Sequence, residues 1–524
     1  MNVLLLCGLG PTFRNKPLLR GSFLELGGVQ TGRAFPAGLS AGDFKVRQGR
    51  RPVPLLRPRR RRAPSLSAAT LSGVLTRSGW EHEVFPLEHL WAGDREPNSA
   101  RVDVVALSTT FICSASTLDR ALRWIEQRFG GAPVIVGGQY SNLKADEILR
   151  RYPSLAHVIR GDGEVALPAL LRAFAGEAAL GEVPNLVFRD ASGSVRRTPE
   201  ANIDLDAYPA PTFDGDCLEV PYESMRGCPF SCKFCSYPAA SPRWRWKSAA
   251  TILRDWHDYA VRNNSARIDA MDSTFTVPPA RFRELLAALG GTSLAWTAYA
   301  RANDVSTRQD AERLVAAGCV GLSIGFESMS DATLGAMNKR TTPEHNRTAA
   351  ALLDEAHVDL NASFIIGYPG EDERAYEQTR RYLLEEFRGR YLLNTFSLID
   401  ETLPVWREAD TYRLRILDPQ APNHTWAHCG MDADTAHRLY EETVRDVRWG
   451  NDHAVLSLWQ SQFEMPLLRN RSLDDNRRTE KLLERLAFAE VDAGDDHALA
   501  TDRIQAALTG LADIGVVIAG AQTR

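Results

Sequence analysis

Short apolar runs alternate with amphipathic stretches through the first part of the chain. The runs are rich in β-branched residues and predict four buried strands, at residues 2–8, 102–110, 133–136 and 157–160. Apolar positions at helical spacing predict the intervening helices, at residues 65–77, 115–129, 146–152 and 165–174. Alternating strands and helices favour a parallel, doubly wound α/β sheet over about residues 1–190.

A second alternation follows a proline-containing stretch at 191–216, which has little periodicity and predicts an interdomain linker. Six strands are predicted between residues 217 and 400, at 220–225, 267–271, 294–300, 320–326, 361–366 and 394–399. Polar residues fall at their carboxyl ends, where α/β barrels carry their chemistry.

Residues 401–524 leave this pattern and are predicted to be mostly helical, with a charge-rich, solvated helix at 474–485. We expect this region to shape a substrate pocket, although polar and aromatic residues of this kind more often occupy core or surface positions. These residues are Trp406, His424, Trp426, His428, Cys429, Trp449, His453 and Trp459.

Composition and charge argue against two classes of protein, general nucleic-acid binders and membrane-spanning proteins. The chain has 524 residues, 44% of them hydrophobic and 24% charged, as in ordinary multidomain globular proteins. A net charge of −4 argues against a general nucleic-acid binder, and a solvated loop is favoured for the basic run at 57–62. No apolar run approaches the length needed to cross a bilayer. These features predict no nucleic-acid or membrane partners, and the eight scattered cysteines suit a reducing cytoplasm.

Three of the eight cysteines, Cys228, Cys232 and Cys235, fall within eight positions at the spacing C-x3-C-x2-C. Gly227 and Pro229 predict a loop in which the sulfurs can converge. Iron–sulfur clusters are normally held by cysteine thiolates, and three ligands would leave one iron of a four-iron cluster open. Zinc remains an alternative, although structural zinc sites use four ligands and no fourth Cys or His lies nearby.

The cysteine loop, with the aromatic Phe234 before its last cysteine, resembles that of the radical S-adenosylmethionine (SAM) enzymes. The resemblance implies a partial (β/α)6 barrel and a [4Fe–4S] cluster whose open iron binds SAM, which is cleaved to a 5′-deoxyadenosyl radical. It also implies SAM contacts to the ammonium, carboxylate, ribose and adenine groups. The implied residues are Phe234, Asp272, Ser273, Arg301, Glu327, Ile366 and Gly367. Structural ion pairs remain open alternatives for Arg301 and Glu327.

Glycine-containing loops follow the predicted strands of the first sheet, where doubly wound folds bind ligands. An unliganded sheet would also contain such loops. Together with the cysteine loop, the runs Ile-Val-Gly-Gly at 135–138 and Arg-Gly-Asp-Gly-Glu at 160–164 resemble the cobalamin-binding radical SAM enzymes. The resemblance implies cobalamin contacts from Ser108, Thr109, Thr110, Gly137, Gly138, Gln139, Gly161, Gly163 and Glu164. No D-x-H-x-x-G segment is present in this domain, so we expect no histidine on the cobalt.

The family resemblance implies a class B radical SAM methyltransferase, which moves a methyl group from methylcobalamin to an unactivated carbon or a phosphinate phosphorus of a small biosynthetic molecule. Cyclisation or ring rearrangement with the same cofactors is one alternative, and a non-catalytic cobalamin or iron–sulfur sensor is another. A flavodoxin or ferredoxin is the expected electron donor. Methyl transfer further requires the open faces of the two domains to meet around the substrate.

Overall fold

The computed structural model describes residues 1–8, 35–36, 39–48, 51–57, 64–99, 101–112, 114–398, 402–418, 425–458 and 463–518. Most of the basic run at 57–62, together with His424 and Trp459, lies outside these ranges. No helix in the described ranges is both long enough and apolar enough to cross a bilayer.

The amino-terminal part of the chain forms a seven-stranded sheet and a separate hairpin. In chain order the strands are β1 (Asn2–Cys7), β2 (Phe44–Gln48), β3 (Arg51–Pro54), β4 (Glu81–Pro86), β5 (Val104–Ser108), β6 (Val134–Gly137), β7 (His157–Ile159), β8 (Leu186–Arg189) and β9 (Val195–Arg197). The sheet order is β4-β1-β5-β6-β7-β8-β9, in which β8 is antiparallel to both of its neighbours, β7 and β9, and the other pairs are parallel. The helices are Leu66–Arg77, Leu87–Ala92, Ala115–Phe129, Gln139–Arg151 and Gly163–Phe174.

This sheet confirms the doubly wound α/β prediction, because separate apolar cores cover its two faces. The central strand β5 is buried along its whole length, as its continuous apolar run indicated. The pattern missed the edge strand β4, in which only Phe85 is buried. It also missed β9, which adds residues of the predicted linker to the opposite edge of the sheet.

The rest of the chain forms the second sheet and several short pairings. Its strands are β10 (Glu219–Tyr222), β11 (Met225–Arg226), β12 (Arg245–Trp246), β13 (Arg267–Ala270), β14 (Ala295–Ala300), β15 (Cys319–Glu327), β16 (Asp359–Ile366), β17 (Gly389–Thr395), β18 (Arg415–Ile416), β19 (Trp426–Ala427), β20 (Ala454–Leu456) and β21 (Val516–Ile518). The sheet order is β10-β13-β14-β15-β16-β17-β20, all parallel. The helices are Tyr237–Ala240, Ala249–Arg262, Pro279–Leu289, Arg308–Ala316, Asp331–Ala336, Pro343–Glu355, Glu373–Glu385, Ala409–Tyr412, Ala433–Gly450, Leu473–Ala493 and His497–Asp513.

Five of the predicted barrel strands lie close to their predicted positions, whereas the sixth, predicted at 394–399, is observed earlier in the chain as β17. A seventh strand comes from the carboxyl-terminal region. Strand β20 pairs in parallel with β17, and β21 pairs with β2 near the other end of the chain. Side chains from β2, the barrel and the last two helices share one apolar core. The carboxyl-terminal residues therefore complete the barrel rather than only covering it, and removing residues 401–524 would open its core.

The charge-rich helix predicted to be solvated is instead buried, and that prediction was wrong. In helix Leu473–Ala493, Glu480 and Glu484 are fully buried. Glu480 accepts two hydrogen bonds from the buried Arg390 of β17, at 3.1 and 2.5 Å. Glu484 accepts one from the buried Arg448, at 3.1 Å. Buried charges must be paired, and these two ion pairs hold the helix against strand β17 and against helix Ala433–Gly450.

Replacing Glu480 with alanine should therefore destabilise the protein strongly, because Arg390 would lose its fully buried partner. It would keep only Asp359, which is partly exposed and also pairs with Arg477. We expect the free energy of unfolding to fall by about 3–5 kcal/mol, measured by urea denaturation. Glu490→Ala, at an exposed position of the same helix, should change it by no more than about 0.5 kcal/mol. The double change Arg390→Leu with Glu480→Leu should recover most of the loss; equal losses in the two alanine variants would contradict the assignment.

Candidate active site

The cysteine loop runs from the end of β11 to the short helix Tyr237–Ala240. Gly227 opens it with φ +79°, and a Cβ there would lie 2.7 Å from the carbonyl oxygen of Arg243. The hydroxyl of Ser273 donates a hydrogen bond to the Gly227 carbonyl at 3.0 Å. Ser273, predicted as a SAM contact, therefore anchors the start of the loop.

The three predicted thiols lie in this loop, with Cys232 buried and Cys228 and Cys235 partly buried. Burial raises the pKa of Cys235 to about 11, and the neighbouring Cys232 and Cys228 add to the rise against a hydrogen bond from the Tyr237 backbone. Within the described ranges, no set of three His, Cys, Asp or Glu side chains is arranged to hold a single metal ion. The donor set of three neighbouring thiols suits a cluster, in which each thiolate binds a different iron.

Arg301 brings a buried positive charge to the cysteine loop. Its Nη1 lies 3.8 Å from the Cys232 sulfur, and its guanidinium lies 4.0 Å from the centre of the Phe230 ring. Nη2 donates a hydrogen bond to the carbonyl of Lys339. Nε is buried without a partner in the described part of the chain, as expected of a group that binds a ligand.

The predicted SAM residue Glu327 is paired within the protein. Its Oε1 lies 2.7 Å from Nζ of Lys339, and both side chains are buried. The ammonium of Lys339 in turn lies 5.6 Å from the centre of the Phe234 ring, another predicted contact. The structure thus contains the ion pair that the sequence left open. Sequence reasoning missed Lys339, because nothing in the residues around it indicates its partner.

Asp272 has a full set of partners inside the protein. Its Oδ1 accepts hydrogen bonds from the backbone N–H groups of Ser224 (2.7 Å) and Met225 (2.9 Å), and Oδ2 accepts the Ser224 hydroxyl. Burial raises the pKa of Asp272 to about 6, although these hydrogen bonds oppose the rise. The carboxylate therefore fixes the strand end that precedes the cysteine loop, and no oxygen is left without a donor.

Ile366 and Gly367 end β16, and the carboxyl-terminal region packs directly against them. A Cβ on Gly367, which has φ +79°, would lie 2.5 Å from the Trp426 ring. His428 donates from Nε2 to the Gly367 carbonyl at 3.1 Å, because its Nδ1 accepts the Gly430 N–H at 3.1 Å. The rings of Trp426 and His428 are stacked 5.2 Å apart. These two aromatic residues are therefore part of the scaffold behind the strand end.

A cavity of about 780 Å³ lies between the first sheet and the barrel. Eight of the nine residues predicted to contact cobalamin line it: Ser108, Thr110, Gly137, Gly138, Gln139, Gly161, Gly163 and Glu164. Thr109 is instead buried, with its hydroxyl 2.9 Å from the Gly137 carbonyl and 2.8 Å from the Ser141 hydroxyl. The barrel contributes Pro221, Asp269 and Met271, of which Met271 is 52% exposed. No histidine is among the described residues that line the cavity.

An interdomain ion-pair cluster of Asp162, Glu164, Arg226 and Arg245 closes one wall of this cavity. Asp162 contacts Arg226 at 2.9 Å and Arg245 at 2.8 Å, and Glu164 contacts Arg226 at 3.1 Å. Burial acts to raise the pKa of Asp162, but the hydrogen bond from Arg245 and the charge of Arg226 outweigh it and lower the pKa. Asp162 is therefore ionised at neutral pH and holds the two domains together.

Comparison of the sequence with protein families identifies the region that contains the cysteine loop. The profile of the radical SAM superfamily matches residues 222–383. The chain therefore contains a radical SAM region over these residues. This match confirms the resemblance drawn from the cysteine loop.

Two curated relatives extend beyond the radical SAM region. An uncharacterized methyltransferase of Pyrococcus horikoshii is 27% identical over 263 residues, which are 48% of this chain and 57% of that protein. The anaerobic magnesium-protoporphyrin IX monomethyl ester cyclase of Cereibacter sphaeroides is 26% identical over 315 residues, 53% of this chain and 48% of the cyclase. The chain thus spans about half the length of the curated relatives it matches.

The fold is also similar to that of TsrM from Kitasatospora setae, a radical SAM methyltransferase solved with cobalamin and a [4Fe–4S] cluster bound. The TM-score is 0.58 at 14% sequence identity, and the similarity covers 98% of this chain and 99% of TsrM. At this identity the similarity concerns the fold. It covers both sheets and the carboxyl-terminal region of this chain.

The close approach at Gly227 predicts that Gly227→Ala will lower the iron content of the reconstituted protein severalfold. The methyl group would collide with the Arg243 carbonyl and displace the start of the cysteine loop. Gly215→Ala is the matched control, because Gly215 also has positive φ but has open space around it. Iron and sulfide analysis measures both variants. Equal iron content in the two would contradict a steric role for Gly227.

Proposed function

We propose that this protein is a cobalamin-dependent radical SAM enzyme that methylates an unactivated carbon, or a phosphinate phosphorus, of a small molecule. The observation that carries the proposal is the cavity between the two sheets, lined by the glycine loops of the first and by the β13 end of the second. The loop with three thiols adjoins that strand end through the Ser273 hydrogen bond. Ligands of both fold types bind at the carboxyl ends of strands.

The proposed cofactors have distinct places in this arrangement. Bound together, the cluster and SAM supply a 5′-deoxyadenosyl radical, and cobalamin supplies the methyl group. Cys228, Cys232 and Cys235 would hold the cluster, and the eight cavity-lining residues predicted from the family resemblance would hold cobalamin. The unpartnered Nε of Arg301 is available for the SAM carboxylate, since a guanidinium binds carboxylates well.

The remaining predicted SAM residues form the walls around the cysteine loop in this proposal. The Glu327–Lys339 pair and the Phe234 ring form one wall next to the cysteines. Ile366 and Gly367 lie at the end of β16, where adenine is expected to pack against the backbone. Hydrogen bonds to adenine are not expected there, because His428 and Glu371 already bind the Gly367 carbonyl and N–H. Asp272 holds the strand end and is left out of the ligand set, because its oxygens are satisfied within the protein.

Methyl transfer sets a strict geometric demand on the chain. Reacting atoms must approach within about 3–3.5 Å, so the methyl donor, the substrate and the radical must share one enclosed volume. The interdomain ion-pair cluster supplies this constraint, because it joins the loop that follows β7 to the strand that precedes the cysteine loop. The substrate is expected between the two strand-end surfaces, and a flavodoxin or ferredoxin is the expected electron donor.

Cyclisation with the same cofactors is the second candidate, favoured by the 26% identity to the magnesium-protoporphyrin cyclase. The deciding experiment is anaerobic reconstitution with iron, sulfide, cobalamin and a reductant, followed by mass spectrometry of products from a panel of candidate substrates. Methylation adds one CH2 to the substrate, whereas cyclisation does not. Absence of 5′-deoxyadenosine from a fully loaded protein would instead favour a non-catalytic sensor.

Each cysteine of the loop should be required for the cluster. Replacing Cys228, Cys232 or Cys235 with alanine is expected to abolish the cluster absorbance and the formation of 5′-deoxyadenosine, because a three-thiolate site cannot spare a ligand. Cys429→Ala, at an exposed cysteine, is the matched control and should keep both. Full cluster content in all three loop variants would refute the ligand assignment.

The cobalt is expected to have no protein imidazole as its lower ligand. No histidine is among the described cavity-lining residues, and the D-x-H-x-x-G segment is absent. Electron paramagnetic resonance of the cob(II)alamin form should therefore show no nitrogen splitting from a lower ligand. A nitrogen triplet that disappears when a histidine is replaced would overturn this expectation.

A further inference from the structure

The buried guanidinium of Arg301 is held in one position beside the cysteine loop. Arg301 is 4% exposed. One nitrogen donates to the Lys339 carbonyl, the planar group lies over the Phe230 ring, and the Arg301 backbone N–H donates to Asp304 at 3.0 Å. These contacts leave Nη1 directed at the sulfur of Cys232, at 3.8 Å. The orientation is therefore set by the protein before any cluster is bound.

Arg301 also differs from the other cations near the loop in having no ion-pair partner among the residues that the structure describes. The charge of Lys339 is balanced by Glu327 at 2.7 Å, and that of Lys233 by Glu408. For the guanidinium of Arg301, the described residues provide a carbonyl oxygen, an aromatic ring and a sulfur, with Nε unpartnered. A positive charge without a carboxylate in contact thus lies next to one of the three thiols, and Asp304 interacts with it only beyond ion-pair distance.

A fixed positive charge at this position acts on electron transfer. Reducing a cluster adds one negative charge, which spreads onto the thiolate sulfurs. Hydrogen bonds to the sulfurs and the net charge around them are among the factors that set the potentials of iron–sulfur clusters. Because Arg301 is buried, solvent and salt screen its charge only weakly. It should stabilise the reduced cluster more than the oxidised one.

We propose that Arg301 raises the reduction potential of the cluster through its contact with the Cys232 sulfur, and so makes the cluster easier to reduce. This role is separate from the carboxylate contact expected from its Nε, and it makes Arg301 a positioning residue for the electron-transfer step. The inference rests on the proposed function only in requiring that the three thiols hold a [4Fe–4S] cluster.

The test is an anaerobic redox titration of the full-length reconstituted protein without SAM, with the reduced cluster measured by electron paramagnetic resonance. In Arg301→Gln, the ratio of reduced to oxidised cluster at a fixed ambient potential should fall about tenfold, which corresponds to about 59 mV for a one-electron couple. Arg301→Lys keeps the charge but cannot make both contacts of the guanidinium. In this variant the ratio of reduced to oxidised cluster should also fall, by less than in Arg301→Gln. Arg308→Gln makes the same charge change at an exposed position and should leave the ratio unchanged.

A fully loaded Arg301→Gln variant with the wild-type potential would overturn the inference. If that variant takes up no iron, Arg301→Lys decides the question, because an ammonium on a shorter stem cannot contact both the Lys339 carbonyl and the Cys232 sulfur. A lowered potential in Arg301→Lys then supports the inference, and an unchanged one overturns it. Failure of the wild-type protein to form any cluster would refute the proposed function itself, which is a different outcome from an unchanged potential.

Discussion

The interdomain ion-pair cluster is the contact on which the geometry of the site depends. Arg226 belongs to the barrel and stands two residues before Cys228, yet its guanidinium is bound by Asp162 and Glu164 of the first sheet. Arg245, on the strand paired with that of Arg226, binds the same Asp162. Removing Arg226 would leave the buried Glu164 without an ion-pair partner among the described residues, at a cost of about 3–5 kcal/mol. These ion pairs therefore fix the position of the cavity-lining loops relative to the loop with the thiols. The cavity keeps its shape because separating the two domains would break buried ion pairs.

The main elements could be predicted because their signals are local. The continuous apolar runs of β1 and β5 lie at the centre of a sheet covered on both faces, and the spacing of Cys228, Cys232 and Cys235 marks the loop without any knowledge of the fold. Other elements depend on partners distant in sequence. Strand β20 is three residues long and is recognisable as a strand only through its pairing with β17. Glu480 can be buried because Arg390, 90 residues earlier, neutralises its charge. A charged helix has the same sequence pattern whether its partner is water or a buried arginine, so the pattern alone favoured solvent.

The site was predictable to a similar degree and for the same reason. Glycine loops at strand ends must face the open edge of a sheet, and eight of nine such residues line the cavity. Thr109 does not, because alternate side chains at a strand end point to opposite sides and its hydroxyl is used between β5 and helix Gln139–Arg151. Asp272 has the residue type and position of a ligand contact, but its oxygens are consumed by the backbone of Ser224 and Met225. Which polar groups remain free is a tertiary property that no motif records.

The positions of Trp426 and His428 in the carboxyl-terminal region are likewise determined by buried backbone groups that need hydrogen-bond partners. Trp426 lies against Gly367 and donates its indole N–H to the Phe396 carbonyl at 2.9 Å, while His428 binds the Gly367 carbonyl. A side chain that already satisfies buried backbone in this way cannot turn toward a ligand without leaving those groups unpaired, at about 1–3 kcal/mol each. The barrel side of the cavity is lined by residues between 221 and 271, among them Arg226, Asp269 and Met271. No described residue of the carboxyl-terminal region lines this cavity, and Trp426 and His428 contribute by holding the end of β16 in place.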